Sequence, residues 1–453
     1  MGIYYFSILL FHFLINLLII KCEDFICRNN NDLANTKCFN TIIKFNSKKY
    51  RAPEFVTTKD GQLIIEYSED DTPGEGRLFY RLTKDGRGYY PNANPIKEIE
   101  MNTTYLATFQ DQKDKYGNLV KGEIAGRYES RNILIQLEGD SSGKEYLFNT
   151  SSWYSYTELY DLESDNYWTW FTTDFFDIPD NKYIFSYKYN LLKQPNQNIY
   201  FLVYIQYKTT TFAGTESKSS SSEYFAIKKF SLKSVNGKIQ KDIKKTITNS
   251  DNFDNRVISS IILASKNVII VYFVKTGSKL TAKSYDYDLN AKEEVEVSSI
   301  TVDPGQGTFF EGFHLDGSLT AILYYNNKDD PNHLYIKLYE YDSTFTQKIY
   351  KEIYKNGITL KTYVLNNEVS KLSNTRIIFT CYNDDSNRLY IYLFDFYSSY
   401  TKIVVTMYYF SVSNYKIQKE MASYMFNDYT LFTAMVDDGG IYSIINVFWI
   451  SKW

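Results

Sequence analysis

The chain has 453 residues, with 50 Lys plus Arg against 53 Asp plus Glu, 3 His and 4 Cys. A net charge of -3 excludes the electrostatic footprint of a nucleic-acid-wrapping protein, and four Cys in this length exclude a disulfide scaffold. With 44% hydrophobic and 23% charged residues it is globular rather than disordered, and 44 Tyr with 31 Phe favour strands over helices.

Residues 3–20, IYYFSILLFHFLINLLII, form an uncharged apolar run followed by Lys21, Cys22, Glu23 and Asp24. An N-terminal apolar core with a polar boundary predicts a secretory signal over residues 1–22, cleaved after Cys22. The run is also long enough to span a bilayer, so an uncleaved signal-anchor is the alternative. Either predicts a secreted or cell-surface protein that touches a membrane only through this segment. Residues 23–40 read as a tail in which Cys27 and Cys38 close a small disulfide loop. Asn102-Thr103-Thr104 and Asn149-Thr150-Ser151 are glycosylation acceptors, expected on exposed turns.

Residues 41–453 read as one repeat domain of short strands and polar turns. Asp60-Gly61, Asp85-Gly86, Asp316-Gly317 and Asp438-Gly439 suit the positive backbone angles of tight turns. Apolar run, turn and second strand recur. The runs 198–208, 266–275, 318–327, 376–385 and 430–440 each lead into a further strand. Phe230, Tyr287, Tyr341 and Phe396 mark matching places 57, 54 and 55 residues apart. The same grammar is fainter in GQLIIEYSEDD with GRLFYRLTKDG, and in RNILIQLEGD with KEYLFNTSS. A period of this length resembles the β-propellers as an architectural class, with about seven four-stranded blades. The strand FNTIIKFN is placed to pair with the last blade and close the ring. Tandem β-sandwiches are the alternative all-β architecture.

Chemistry-bearing residues are sparse. His314 and His333 have no neighbouring His or Cys at ligand spacing, and Cys381, within RIIFTCY, reads as a small buried hydrophobe. Asp286, Asp288 and Asn290 have the one-three-five spacing of a calcium loop. The sixth place is Ala291 and the twelfth Val297, so the segment reads as a turn. Seven lysines between Lys228 and Lys245 read as a solvated hairpin or protected edge, with a polyanion contact as the alternative.

The richest segment runs from Trp153 to Phe176 and holds three of the five Trp. Trp153, Tyr167, Trp168 and Trp170 with Glu158 and Asp161 are the candidate ligand-binding residues. Rings stack on apolar sugar faces while carboxylates accept hydroxyl hydrogen bonds. The same residues also suit packing between blades. No catalytic residue, metal or cofactor is expected. The function expected is recognition or adhesion toward an extracellular protein or glycan. The alternatives are a carbohydrate-active enzyme using paired carboxylates and a structural surface coat.

Overall fold

The computed structural model describes residues 22–24, 38–45, 49–57, 63–69, 76–85, 88–100, 130–151, 157–161, 167–170, 189–206, 224–249, 258–275, 279–298, 309–325, 333–354, 368–373, 376–383, 388–397, 400, 402–411, 417–427 and 430–449. The apolar leader, Cys27, Asn102, Trp153 and the Ser/Thr-rich run 209–222 lie outside these. Among the described residues no helix is long and apolar enough to cross a membrane.

Two strands come first, β1 (Cys22–Asp24) and β2 (Cys38–Lys44). Then come β3 (Tyr50–Thr57), β4 (Leu63–Glu69), β5 (Gly76–Asp85) and β6 (Gly88–Glu100), which form one antiparallel sheet. The next sheet holds β7 (Ser130–Ile135), β8 (Tyr146–Ser151), β9 (Thr157–Asp161) and β10 (Tyr167–Trp170). A third holds β11 (Tyr189–Lys193), β12 (Tyr200–Gln206), β13 (Tyr224–Val235) and β14 (Lys238–Asn249). A fourth holds β15 (Ser259–Leu263), β16 (Val268–Lys275), β17 (Lys279–Asp286) and β18 (Ala291–Ser298). A fifth holds β19 (Phe309–His314), β20 (Leu319–Tyr325), β21 (His333–Tyr341) and β22 (Phe345–Tyr354). A sixth holds β23 (Glu368–Ser373), β24 (Arg376–Asn383), β25 (Arg388–Tyr397) and β26 (Lys402–Ser411), with β1 added outside β26. The last holds β27 (Ile417–Asn427), β28 (Thr430–Asp437) and β29 (Tyr442–Trp449), and β2 completes it.

The arrangement is a β-propeller. The first strand of each sheet is innermost: β27 lies beside β3, β3 beside β7, β7 beside β11, β11 beside β15, β15 beside β19, and β23 beside β27. Apolar residues of neighbouring sheets merge into shared cores. One joins Tyr200 and Phe230 to Phe148, another Phe225 to Phe273, and a third Leu323 and Leu338 to Phe379. A tandem-sandwich chain would pack its sheets in separate pairs, whereas here the sheet of β11–β14 shares a core with both neighbours.

The ring is closed by the strand that the sequence placed there. β2 pairs antiparallel with β29, from Cys38 opposite Phe448 to Lys44 opposite Tyr442. Because β2 begins at Cys38, the expected domain boundary at residue 40 falls inside a strand. Backbone bonds from Phe45 N to Ile441 O and from Tyr50 N to Gly440 O, both 2.9 Å, extend the seam.

Of the four Asp-Gly turns, Asp60-Gly61 and Gly86 lie outside the described residues, and the other two differ. Gly317 has φ +53°, as Asp316-Gly317 predicts, but beside Asp438-Gly439 the positive angle falls on Gly440 at +67°. There the Asp437 carboxylate accepts from the amides of Gly439, Ile441 and Tyr442, which shifts the turn by one residue. The β13–β14 hairpin turns at Asn236 and Gly237, φ +51° and +72°, angles that only Asn and Gly adopt cheaply.

Candidate functional site

The described parts of the aromatic segment, β9 and β10, form the outer half of their sheet. β9 pairs with β8, and β10 pairs with β9 at the end of the strand order. Tyr167 stands opposite Tyr160, Trp168 opposite Leu159, and Trp170 opposite Thr157. Glu158 lies between Asn149 of β8 and Thr169 of β10. Glu158 and Trp170 are thus brought within one register step, at the far end of β9 from Asp161.

Asp161 is not presented to a ligand. It is only 5% exposed, and its Oδ2 accepts a 2.7 Å hydrogen bond from Lys144 Nζ. Lys144 also stands 5.5 Å from the centroid of the Tyr146 ring. The carboxylate therefore clasps β9 to the loop between β7 and β8. Asn149 is placed in β8 between β7 and β9, a strand where the sequence suggested a turn. Cys38 opens β2, and Cys381 is buried in β24, as its apolar run predicts.

What the sequence did not reveal is how polar side chains lock adjacent sheets. Between the β7–β10 and β11–β14 sheets, the Tyr200 hydroxyl accepts from Gln136 N at 2.8 Å. Burial pushes the Tyr200 hydroxyl up to about 12. Beside it, Glu138 accepts from the Ser231 hydroxyl and from Lys244 Nζ at 3.1 Å, with Lys233 Nζ at 3.4 Å. The Ser231 hydroxyl, and then Lys244 and Lys233, outweigh burial and hold Glu138 below its ordinary 4.5.

On the other side of the same hairpin, Lys229 Nζ donates to Asp288 Oδ1 at 3.1 Å, and Lys245 Nζ donates to Asp288 O. The calcium-like spacing is thus a turn held from within. Asp286 Oδ1 accepts from the amides of Asp288 at 3.0 Å and Asn290 at 2.8 Å, and Leu289 takes φ +59°. Among the described residues no cluster of three or more His, Cys, Asp or Glu could hold a metal. The lysine run is a hairpin, but it is not simply solvated. Lys228 is fully buried, and Lys229, Lys233, Lys244 and Lys245 bind the sheets on both sides.

The β15–β18 and β19–β22 sheets are joined differently. The Ser259 hydroxyl donates to Glu311 Oε1 at 2.7 Å and accepts from Gly312 N at 3.0 Å. The Tyr272 ring lies against Gly312, where a Cβ would stand 2.7 Å from its Cδ2 and closer still to Cε2. Tyr339 donates to Val297 O at 2.8 Å, and the Tyr341 and Ser284 hydroxyls pair at 3.0 Å. Burial raises the Tyr272 and Tyr339 hydroxyls well above 10.0. Tyrosine suits such seams because its ring packs while its hydroxyl reaches a partner. Tyr67, paired with Ser443 at 2.7 Å, repeats the device across the closing seam.

No family model and no curated protein matches this chain. Among solved structures it is similar to a catalytically inactive virginiamycin B lyase from Staphylococcus aureus, at 9% identity and TM-score 0.45. That match covers 90% of this chain and 99% of the other. It is similar to a Trypanosoma rangeli sialidase at 10% identity and TM-score 0.39, over 75% of this chain and 56% of the sialidase. A mutant of AofleA from Arthrobotrys oligospora matches at 9% identity and TM-score 0.38, over 95% of this chain and 93% of that one. At these identities the likeness assigns no activity.

Proposed function

We propose that this chain is a secreted or cell-surface recognition ectodomain whose seven sheets are the seven blades of one closed propeller. The observation that supports it is the frame itself. β2 stitches the ring shut against β29, and hydroxyls, lysines and carboxylates lock sheet to sheet. A rigid scaffold of this kind positions connecting segments for binding. The ligand expected is an extracellular protein or glycan, met by the aromatic outer half of the β7–β10 sheet through Trp168, Trp170 and Glu158.

The test is binding of the secreted protein to glycan and cell-surface arrays beside a Trp168→Ala/Trp170→Ala variant of equal melting temperature. Recognition at this site predicts specific binding that the variant loses. Binding that the variant keeps moves the site elsewhere on the ring. Absence of any retained ligand overturns the recognition reading, and turnover of array glycans replaces it with catalysis.

A further inference from the structure

The outer strands of the sheets differ in how they resist pairing with another chain. β14 carries Lys238, Lys241, Asp242, Lys244 and Lys245, and β18 carries Lys292, Glu293, Glu294 and Glu296. β22 carries Lys348, Lys351 and Glu352, and β6 has Pro91 and Pro95 beside Lys97 and Glu98. Charges and prolines on an edge disfavour strand addition. β26 has neither. Its run Ile403–Phe410, IVVTMYYF, is eight residues without charge, Gly or Pro, the longest such run on an outer strand among the described residues. Uncharged segments of this length and β propensity self-associate when exposed on an edge. This is the strand that β1 covers, in parallel, with Cys22 opposite Met407, Glu23 opposite Tyr408 and Asp24 opposite Tyr409.

We propose that Cys22–Asp24 is an edge guard for β26, and that an uncovered β26 pairs with β26 of a second copy. A three-residue parallel pairing is weak and opens readily. Like edges then meet about a two-fold axis, which closes the assembly at a dimer. The guard also ties assembly to processing of the leader. Cleavage after Cys22 removes the first guard residue, whereas cleavage upstream keeps all three.

The test uses the full coding sequence in a secretory host, with intact mass showing that all products begin at the same residue. In Glu23→Pro/Asp24→Pro, two β1 amides are removed, and sedimentation should show the mass doubling relative to the parent. Glu23→Ala/Asp24→Ala, which keeps the amides, should stay monomeric. Adding Tyr408→Lys to the proline variant should restore the monomer. Equal melting temperatures show that the ring is intact in each. A proline variant that stays monomeric, or a dimer that Tyr408→Lys leaves unchanged, overturns the proposal.

Discussion

Two neighbouring seams of the ring are held by different chemistry. Between the β11–β14 and β15–β18 sheets, lysines of one hairpin reach a turn whose Asp288 side chain is 82% exposed. Between the β15–β18 and β19–β22 sheets, the contacts are buried: a ring on a glycine, and a serine shared by a carboxylate and an amide. Exposed ion pairs contribute roughly 0–1 kcal/mol. An unmet buried hydrogen-bonding group costs about 1–3 kcal/mol. The second seam is therefore specified by shape and by its buried serine and tyrosine hydrogen bonds, and the first by its apolar core, with the charges adding little.

The comparison is broken most severely at Gly312. Gly312→Ala should cost about 3 kcal/mol, since the Cβ meets a buried ring that cannot withdraw, and its melting temperature should fall accordingly. Ser259→Ala should cost about 2 kcal/mol by taking the acceptor from the buried Gly312 amide; denaturant titration measures this. At high pH the two seams should separate. The raised Tyr272 and Tyr339 hydroxyls contribute stability that is complete below 10.0 and lost as pH rises past it. Hydrogen exchange should therefore open β19–β20 before β13–β14, and the share of the 295 nm absorbance that belongs to these two buried rings should appear only as that seam opens.

At low pH the order reverses. For Asp286 burial acts upward, but the Asn290 and Lys292 contacts outweigh it and leave the carboxyl below its ordinary 3.8. Its contribution is complete above 3.8 and is lost as pH falls through the lower native value. Exchange should then rise first at the Asp286–Asn290 turn. The smallest effect is expected for Lys229→Ala, about 0.5 kcal/mol and vanishing in 1 M salt; a cost that persists in salt would mean that the lysine stem packs as well.

The repeats legible in the sequence are the second and third strands of the sheets. The run 376–385 contains β24, and Arg388–Tyr397 is β25. These strands lie between two others and are covered on both faces, so they read as near-continuous apolar runs. The first strands β11 and β15 have five residues each and carry the polar groups Asn190 and Ser259, while the fourth strands β14 and β18 carry charges. Neither has a strong apolar signature, which is why the inner lining and the rim were faint. The site residues show the same limit. Tyr167, Trp168 and Trp170 stood out by type, yet nothing local to Asp161 signals that Lys144 engages it.

Alternating apolar residues, turn chemistry and the 54–57-residue spacing by themselves determined an all-strand chain of repeated units, with β2 placed to close it. These are local properties, since burial on a strand face depends on period two and a hairpin on the few residues at its tip. Only the tertiary structure decided which polar groups meet across the seams. Glu138 and Lys244 are 106 residues apart, and Tyr67 and Ser443 are 376 apart. Their pairing depends on how sheets sit side by side, a geometry that no window of the sequence contains.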